Sequence, residues 1–269
     1  MMWTERTVTR HHVRLSCLDS GGPGTPVGPG TPVVLLHGLA GHAGEWDALA
    51  AALAPGRRVV AVDQRGHGAS ERRPADVSRA AYVADVVAVI EQLELDRPVL
   101  AGQSLGGHTA MLTAAAHPDL VRGLVLVEAG AAAADPGAPQ EIGDMLDAWP
   151  LPFPSLAAAR EFLGTDAWAA GLEQRPDGWY PRFDRDVMVR AITENTTRAW
   201  WPEWERVTCP TLLVLGERGI IPPAESTQML RRASAPTTAA SVPAAGHDVH
   251  LDNPAALHAL VSTFLETLP

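Results

Sequence analysis

Residues 98–107 read Pro98-Val99-Leu100-Ala101-Gly102-Gln103-Ser104-Leu105-Gly106-Gly107. Pro98–Ala101 is a short apolar run of the kind that forms a strand buried on both faces. Leu105–Ala116 after it is helical in character. Between the two stands Gly-x-Ser-x-Gly, so the serine falls on a sharp strand-to-helix turn. Side chains beside so tight a turn would clash with neighbouring backbone, which accounts for the glycines. The turn lifts the Ser104 hydroxyl out of the sheet. It also sets the Leu105 N–H at a helix N-terminus, facing a developing oxyanion.

The same rhythm extends outward. Val33–Leu36, Arg58–Val62, Gly123–Val127 and Thr211–Leu215 are short Val- and Leu-rich runs bounded by Gly, Pro or Asp. Helical segments lie between them; in Arg79–Leu93, Tyr82, Val86, Val89, Ile90 and Leu93 share one stripe. Strands alternating with helices imply parallel pairing through crossovers, hence an α/β sheet. Thr7–Leu18 reads as one or two antiparallel strands, Gly21–Pro32 as a surface loop, Ala239–Val242 as a late strand and Asn253–Leu268 as a C-terminal helix. Residues 131–206 break the pattern. They hold no buried-strand run but six of the eight tryptophans, punctuated by prolines. The expected organisation is a core of residues 1–130 and 207–269 with an inserted helical cap, 131–206.

Composition narrows the function. The 269 residues are 46% apolar and 19% charged, ample for a buried core. A net charge of −10 argues against nucleic acid and against docking on an anionic membrane. All 21 cationic side chains are arginine, so Schiff-base chemistry by a lysine is excluded. Cys17 and Cys209 form no disulfide framework or metal motif and read as small buried hydrophobes. Met1–Arg14 is polar, without the apolar stretch of a signal peptide, and no run is long enough to span a bilayer. The expectation is a cytoplasmic protein with no metal and no cofactor.

A serine nucleophile needs a base that titrates near neutrality, which points to histidine. Of ten histidines, His247 in Gly246-His247-Asp248 lies just past the late strand, where a loop can swing the imidazole over Ser104. His250 is its local competitor. His11, His12, His42, His67, His108, His117 and His258 read as surface or loop residues. His37-Gly38-Leu39 follows the strand Val33–Leu36, and the Leu39 N–H is the candidate second oxyanion donor. His37 reads as a loop residue bonded to backbone, or else as part of a substrate pocket.

Val33-Val34-Leu35-Leu36-His37-Gly38, Asp63-Gln64-Arg65-Gly66-His67-Gly68-Ala69-Ser70, Gly102-Gln103-Ser104-Leu105-Gly106-Gly107 and Gly246-His247-Asp248-Val249-His250, in that order, resemble the α/β-hydrolase-fold enzymes. The branch includes bacterial esterases, lactonases and cofactor-free perhydrolases. The resemblance spans nearly the whole chain. It implies a mostly parallel eight-stranded sheet flanked by helices with an inserted cap, and a structural role for Asp63–Ser70. In most relatives the triad acid follows the strand that here is Thr211–Leu215. Here that segment reads Gly216-Glu217-Arg218-Gly219, with glycine where the aspartate is expected. Some relatives carry the acid after the next strand beyond the elbow, and Glu128 stands there. Glu128 is therefore the expected acid, with Glu217 as the alternative.

A serine in the elbow, where dehalogenases and epoxide hydrolases of this fold use aspartate, points to acyl transfer. The expected partner is a small, moderately hydrophobic ester or lactone. Trp200, Trp201 and Trp204 could line its pocket. A perhydrolase, acyltransferase, lyase or cyclase would use the same residues, and Gly219 leaves room for a non-catalytic binder.

Overall fold

The computed structural model describes residues 3–21 and 28–269. Residues 22–27 of the expected Gly21–Pro32 loop lie outside them, and the next strand begins two residues before that loop was to end. The strands are β1 (Thr4–Arg10), β2 (Val13–Asp19), β3 (Gly30–Leu36), β4 (Arg57–Val62), β5 (Val99–Gln103), β6 (Gly123–Val127), β7 (Glu173–Arg175), β8 (Gly178–Tyr180), β9 (Thr211–Gly216) and β10 (Thr237–Val242). The helices are α1 (Asp47–Leu53), α2 (Arg79–Gln92), α3 (Leu105–Ala116), α4 (Ala138–Asp147), α5 (Leu156–Leu163), α6 (Asp166–Ala170), α7 (Arg185–Thr193), α8 (Trp201–Trp204), α9 (Pro223–Arg232), α10 (Val249–Asp252) and α11 (Pro254–Glu266).

Eight strands form one sheet in the order β1-β2-β4-β3-β5-β6-β9-β10. β1 and β2 are antiparallel, and β2 meets β4 antiparallel; every pairing from β4 to β10 is parallel. β5 and β6 are buried along their full length, as strands covered on both faces should be. One cluster packs α2 and α3 against one face, with Val34, Leu100, Leu124 and Met111 at its centre. The other face packs α1 and α11 over Val33, Leu35, Val99 and Val125. Both cysteines are free and buried. Burial pushes the Cys17 thiol up to about 12 and Cys209 to about 11.

Register lines up the functional ends of the strands. Leu36 pairs with Gly102, Gly102 with Leu126, and Leu126 with Leu213. The residues just beyond these positions therefore emerge along one edge, where ligands bind in open parallel sheets. Between β6 and β9 lie α4–α8 and a hairpin of β7 and β8. The hairpin was not legible in the sequence. Its strands are three residues each and partly exposed, too short for an apolar alternation.

Candidate active site

Ser104 has φ +50° and ψ −116°, a left-handed conformation unusual for a residue with a side chain. The turn holds because its neighbours over-determine it. The Ser104 N–H donates to the Val127 carbonyl at 2.9 Å, and the His108 N–H donates to the Ser104 carbonyl at 2.9 Å. A Cβ on Gly102 would overlap the Gly106 backbone, and one on Gly106 would overlap the Leu36 carbonyl. The glycines thus let β5, α3 and the end of β3 approach closely.

The loop after β3 runs beside this turn. A Cβ on Gly38 would lie 3.5 Å from the Ser104 Cβ, so the backbone entering Leu39 borders the serine. Among the described residues neither the Leu39 nor the Leu105 N–H donates to a protein group. Leu105 is the first residue of α3, where an N–H is orphaned by the helix geometry.

Glu128 follows β6, also with positive φ (+49°), and its side chain is almost fully buried. Its Oε1 accepts from the Gly216 N–H at 2.8 Å; its Oε2 accepts from the N–H groups of Ile220 at 2.6 Å and Ile221 at 3.4 Å. Oε2 lies 3.7 Å from Nδ1 of His247. That nitrogen is buried and has no hydrogen-bond partner. A Cβ on Gly219 would overlap the Glu128 carboxylate. The glycine at 219 and the glutamate at 128 are therefore one arrangement, since the carboxylate from β6 fills the space a residue-219 side chain would take. Glu217 is not brought to His247. It is exposed, and its Oε2 accepts from the Ala244 N–H at 2.8 Å.

His247 is about one-third exposed. Gln103 anchors its loop, with Nε2 donating to the His247 carbonyl at 3.1 Å and to Asp248 Oδ1 at 3.2 Å. Burial, the largest influence on Asp248, raises its carboxyl above the ordinary range. His250 is turned away. Its Nε2 lies 3.3 Å from Glu45 Oε2, and its ring packs on Trp46 with centroids 4.6 Å apart. Burial pushes the Glu45 carboxyl up, but the His250 bond and the nearby His250, His37 and His42 rings bring it down on balance.

Ser104, Leu105 and Glu128 open onto a cavity of about 550 Å³. Its walls include Ala129, Ala132, Ile192, Ile220 and Pro222. The expected pocket residues are not among its lining, and this corrects the sequence reading. Trp200 and Trp204 belong to the core cluster that includes α2 and α3, and Trp201 packs against it. The Trp204 Nε1–H donates to the Met229 carbonyl at 2.9 Å, and the Arg232 guanidinium covers Trp201. Trp200 stands one layer back, edge-on to His108. His37 is also absent from the lining. It is fully buried, with Nδ1 2.7 Å from the Gly38 carbonyl and Nε2 accepting from the Gln64 N–H at 3.0 Å. Burial lowers its pKa to about 4.

Two further histidines depart from the surface reading. His67 is fully buried. It bridges the Arg65 carbonyl (2.9 Å) and the Ala40 N–H (3.1 Å), and burial with the neighbouring His37 lowers it to about 3. His108 lines the cavity. Its position four residues after Ser104, on the same face of α3, was the one signal that could have found it. Asp63 keeps the structural role expected of its loop, accepting from the Ala43 N–H at 2.7 Å and the Ala69 N–H at 2.8 Å.

A serine-bearing elbow at the carboxyl ends of a doubly covered parallel sheet, opening on a cavity, defines an α/β hydrolase. The family model described as "Alpha/beta hydrolase family" matches residues 33–260, and the chain belongs to that family. The sn-1-specific diacylglycerol lipase ABHD11 of Mus musculus is 32% identical over 252 residues, covering 87% of this chain and 80% of the relative. Among solved structures, E-2-(acetamidomethylene)succinate hydrolase superposes with a TM-score of 0.86 at 23% identity, covering 99% of this chain and all of that one. The enol-lactonase of Burkholderia xenovorans LB400 gives 0.78 at 20% identity, covering 97% and 100%. At such identities these two likenesses concern the fold. No described helix is long and apolar enough to cross a membrane.

Proposed function

We propose that this α/β hydrolase cleaves a carboxylic ester or lactone of a small, moderately hydrophobic molecule through a Ser104–His247–Glu128 triad. The observation that carries the reading is the Glu128 carboxylate, seated in the space left by Gly219, 3.7 Å from His247 Nδ1. A buried carboxylate facing an otherwise unpartnered imidazole nitrogen is the arrangement that fixes a tautomer and steadies an imidazolium. The mouse relative's name, a lipase, agrees with ester chemistry.

Ser104 Oγ attacks the carbonyl carbon as His247 Nε2 takes its proton, and the oxyanion is held by the Leu39 and Leu105 N–H groups. The imidazolium returns the proton to the leaving alcohol. Water, deprotonated by the same histidine, then cleaves the acyl-enzyme and regenerates Ser104. Residues 131–206 act as the cap. In support, Ala132–Asp135, Ile192 and Asn195 help wall the cavity.

The test is turnover of a p-nitrophenyl ester series by the wild type, Ser104→Ala and Glu128→Ala. Both variants should be folded and nearly inactive. An active Ser104→Ala would refute the mechanism. An active Glu128→Ala would remove Glu128 from it, and a wild type inert on every ester and lactone would leave acyl transfer or binding.

A further inference from the structure

The cavity beside Ser104 is lined by polar side chains that the triad does not use. His108 on α3 and Asn195 in the 3-10 turn Glu194–Thr196 both line it. They are only 5% and 9% exposed. Neither ring nitrogen of His108 has a hydrogen-bond partner, nor does Asn195 Oδ1. Leaving such atoms buried and unpaired is costly, so three of them on residues that line one cavity call for a partner that enters it. Trp200 fixes the imidazole from outside, with centroids 4.9 Å apart at 82°. Burial, with the Arg79 and Arg198 charges nearby, holds His108 well below the usual range. At neutral pH it is a neutral ring with one N–H donor and one acceptor.

The charge of the lining sets the sign of the guest. Its ionisable residues other than His108 are Glu128, Asp135, Glu141 and Glu225, and no arginine lines it among the described residues. An anionic substituent would be repelled and would find no counter-charge. A hydroxyl suits the pair because it can donate to Asn195 Oδ1 and accept from the His108 N–H.

We propose that His108 and Asn195 form a specificity subsite for an uncharged hydroxyl group of the substrate, so that the preferred ester is neutral and hydroxylated. The inference rests on the ester-hydrolase reading. Four esters test it, followed by acid release: ethyl hexanoate, ethyl 3-hydroxyhexanoate, 2-hydroxyethyl hexanoate and monoethyl adipate. The two hydroxyl esters cover the acyl and alcohol sides. At least one should exceed ethyl hexanoate in kcat/KM by about 10- to 100-fold, and the anionic adipate should fall below it. In Asn195→Leu and His108→Phe the ratio of hydroxylated to plain ester should shrink towards one, while Asn195→Asp, which keeps an acceptor oxygen, should retain it. Equal rates for the hydroxylated and plain esters in the wild type would overturn the subsite even if a variant failed to fold. So would an undiminished ratio in Asn195→Leu, or faster turnover of the adipate. A folded wild type that turns over none of the four would instead overturn the ester-hydrolase reading, and the inference with it.

Discussion

Glu128 and Gly219 contend for one space, and that gives a prediction whose sign is unusual. Truncating Glu128 to alanine removes the acceptor from three backbone N–H groups, those of Gly216, Ile220 and Ile221. At about 1–3 kcal/mol for each group left unsatisfied, and less where water can enter, the stability loss should be about 2–4 kcal/mol. Turnover should fall by up to ~10⁴, the scale seen when an imidazole loses its orienting acid. Gly219→Asp alone should also be damaging, because the new side chain overlaps the Glu128 carboxylate and sets two negative charges together. The double variant Glu128→Ala with Gly219→Asp has room for one carboxylate and contains one. It should be more active than either single variant, by at least tenfold over Glu128→Ala, and more stable than Gly219→Asp. The assay is a double-mutant cycle read in kcat/KM on p-nitrophenyl butyrate and in urea unfolding. If the two losses simply multiply, the carboxylates do not share a seat, and the account of Gly219 fails.

Three other outcomes are expected. Ser104→Gly should abolish ester turnover yet raise stability by about 1 kcal/mol, because glycine adopts the φ of +50° without strain; thermal unfolding would reveal it. His37 and His67 titrate near 4 and 3 when folded, and His108 is also held well below its ordinary value. Unfolded, each takes up a proton near pH 6.5, so their contribution is complete above that pH and is lost as pH falls through the window below it. With about 1.4 kcal/mol per pH unit for each, the unfolding free energy should drop by roughly 4 kcal/mol per unit between pH 6 and 5; a flat profile in chemical denaturation would contradict the buried, neutral assignments. Asp85→Ala should cost about 3–5 kcal/mol in urea unfolding, because it strands the buried Arg65 guanidinium that makes 2.6 Å bonds to both Asp85 oxygens.

The sheet was readable in the sequence because burial on both faces leaves a continuous Val and Leu run, and Gly123–Val127 fell within its observed bounds. The elbow was readable because only glycines tolerate the approach of β3, β5 and α3. Glu128 came from its place at a strand end, but the reason for Gly219 did not, since a spatial exclusion between residues 91 apart leaves no local mark. The tryptophans misled because an indole packs equally well into a core or around a ligand. His67 and His108 looked peripheral because a buried neutral imidazole carries no pattern of its own. Asn195 had no signal, as its role depends on how the segment after β6 folds back over the sheet.

His42, which read as a loop residue, hydrogen-bonds through Nε2 to the Ala167 carbonyl in α6 at 2.8 Å, and its ring fills the space beside Gly171. Its Nδ1 accepts from the Gly44 N–H at 3.1 Å, so the same ring is fastened to the loop that follows Leu39. The two segments are thereby stitched together across one imidazole. A displacement of α6 would pull on the stretch that follows Leu39. Truncating His42 would therefore loosen two stretches far apart in the chain at once, the turn that begins at Ala43 and the segment around Ala167.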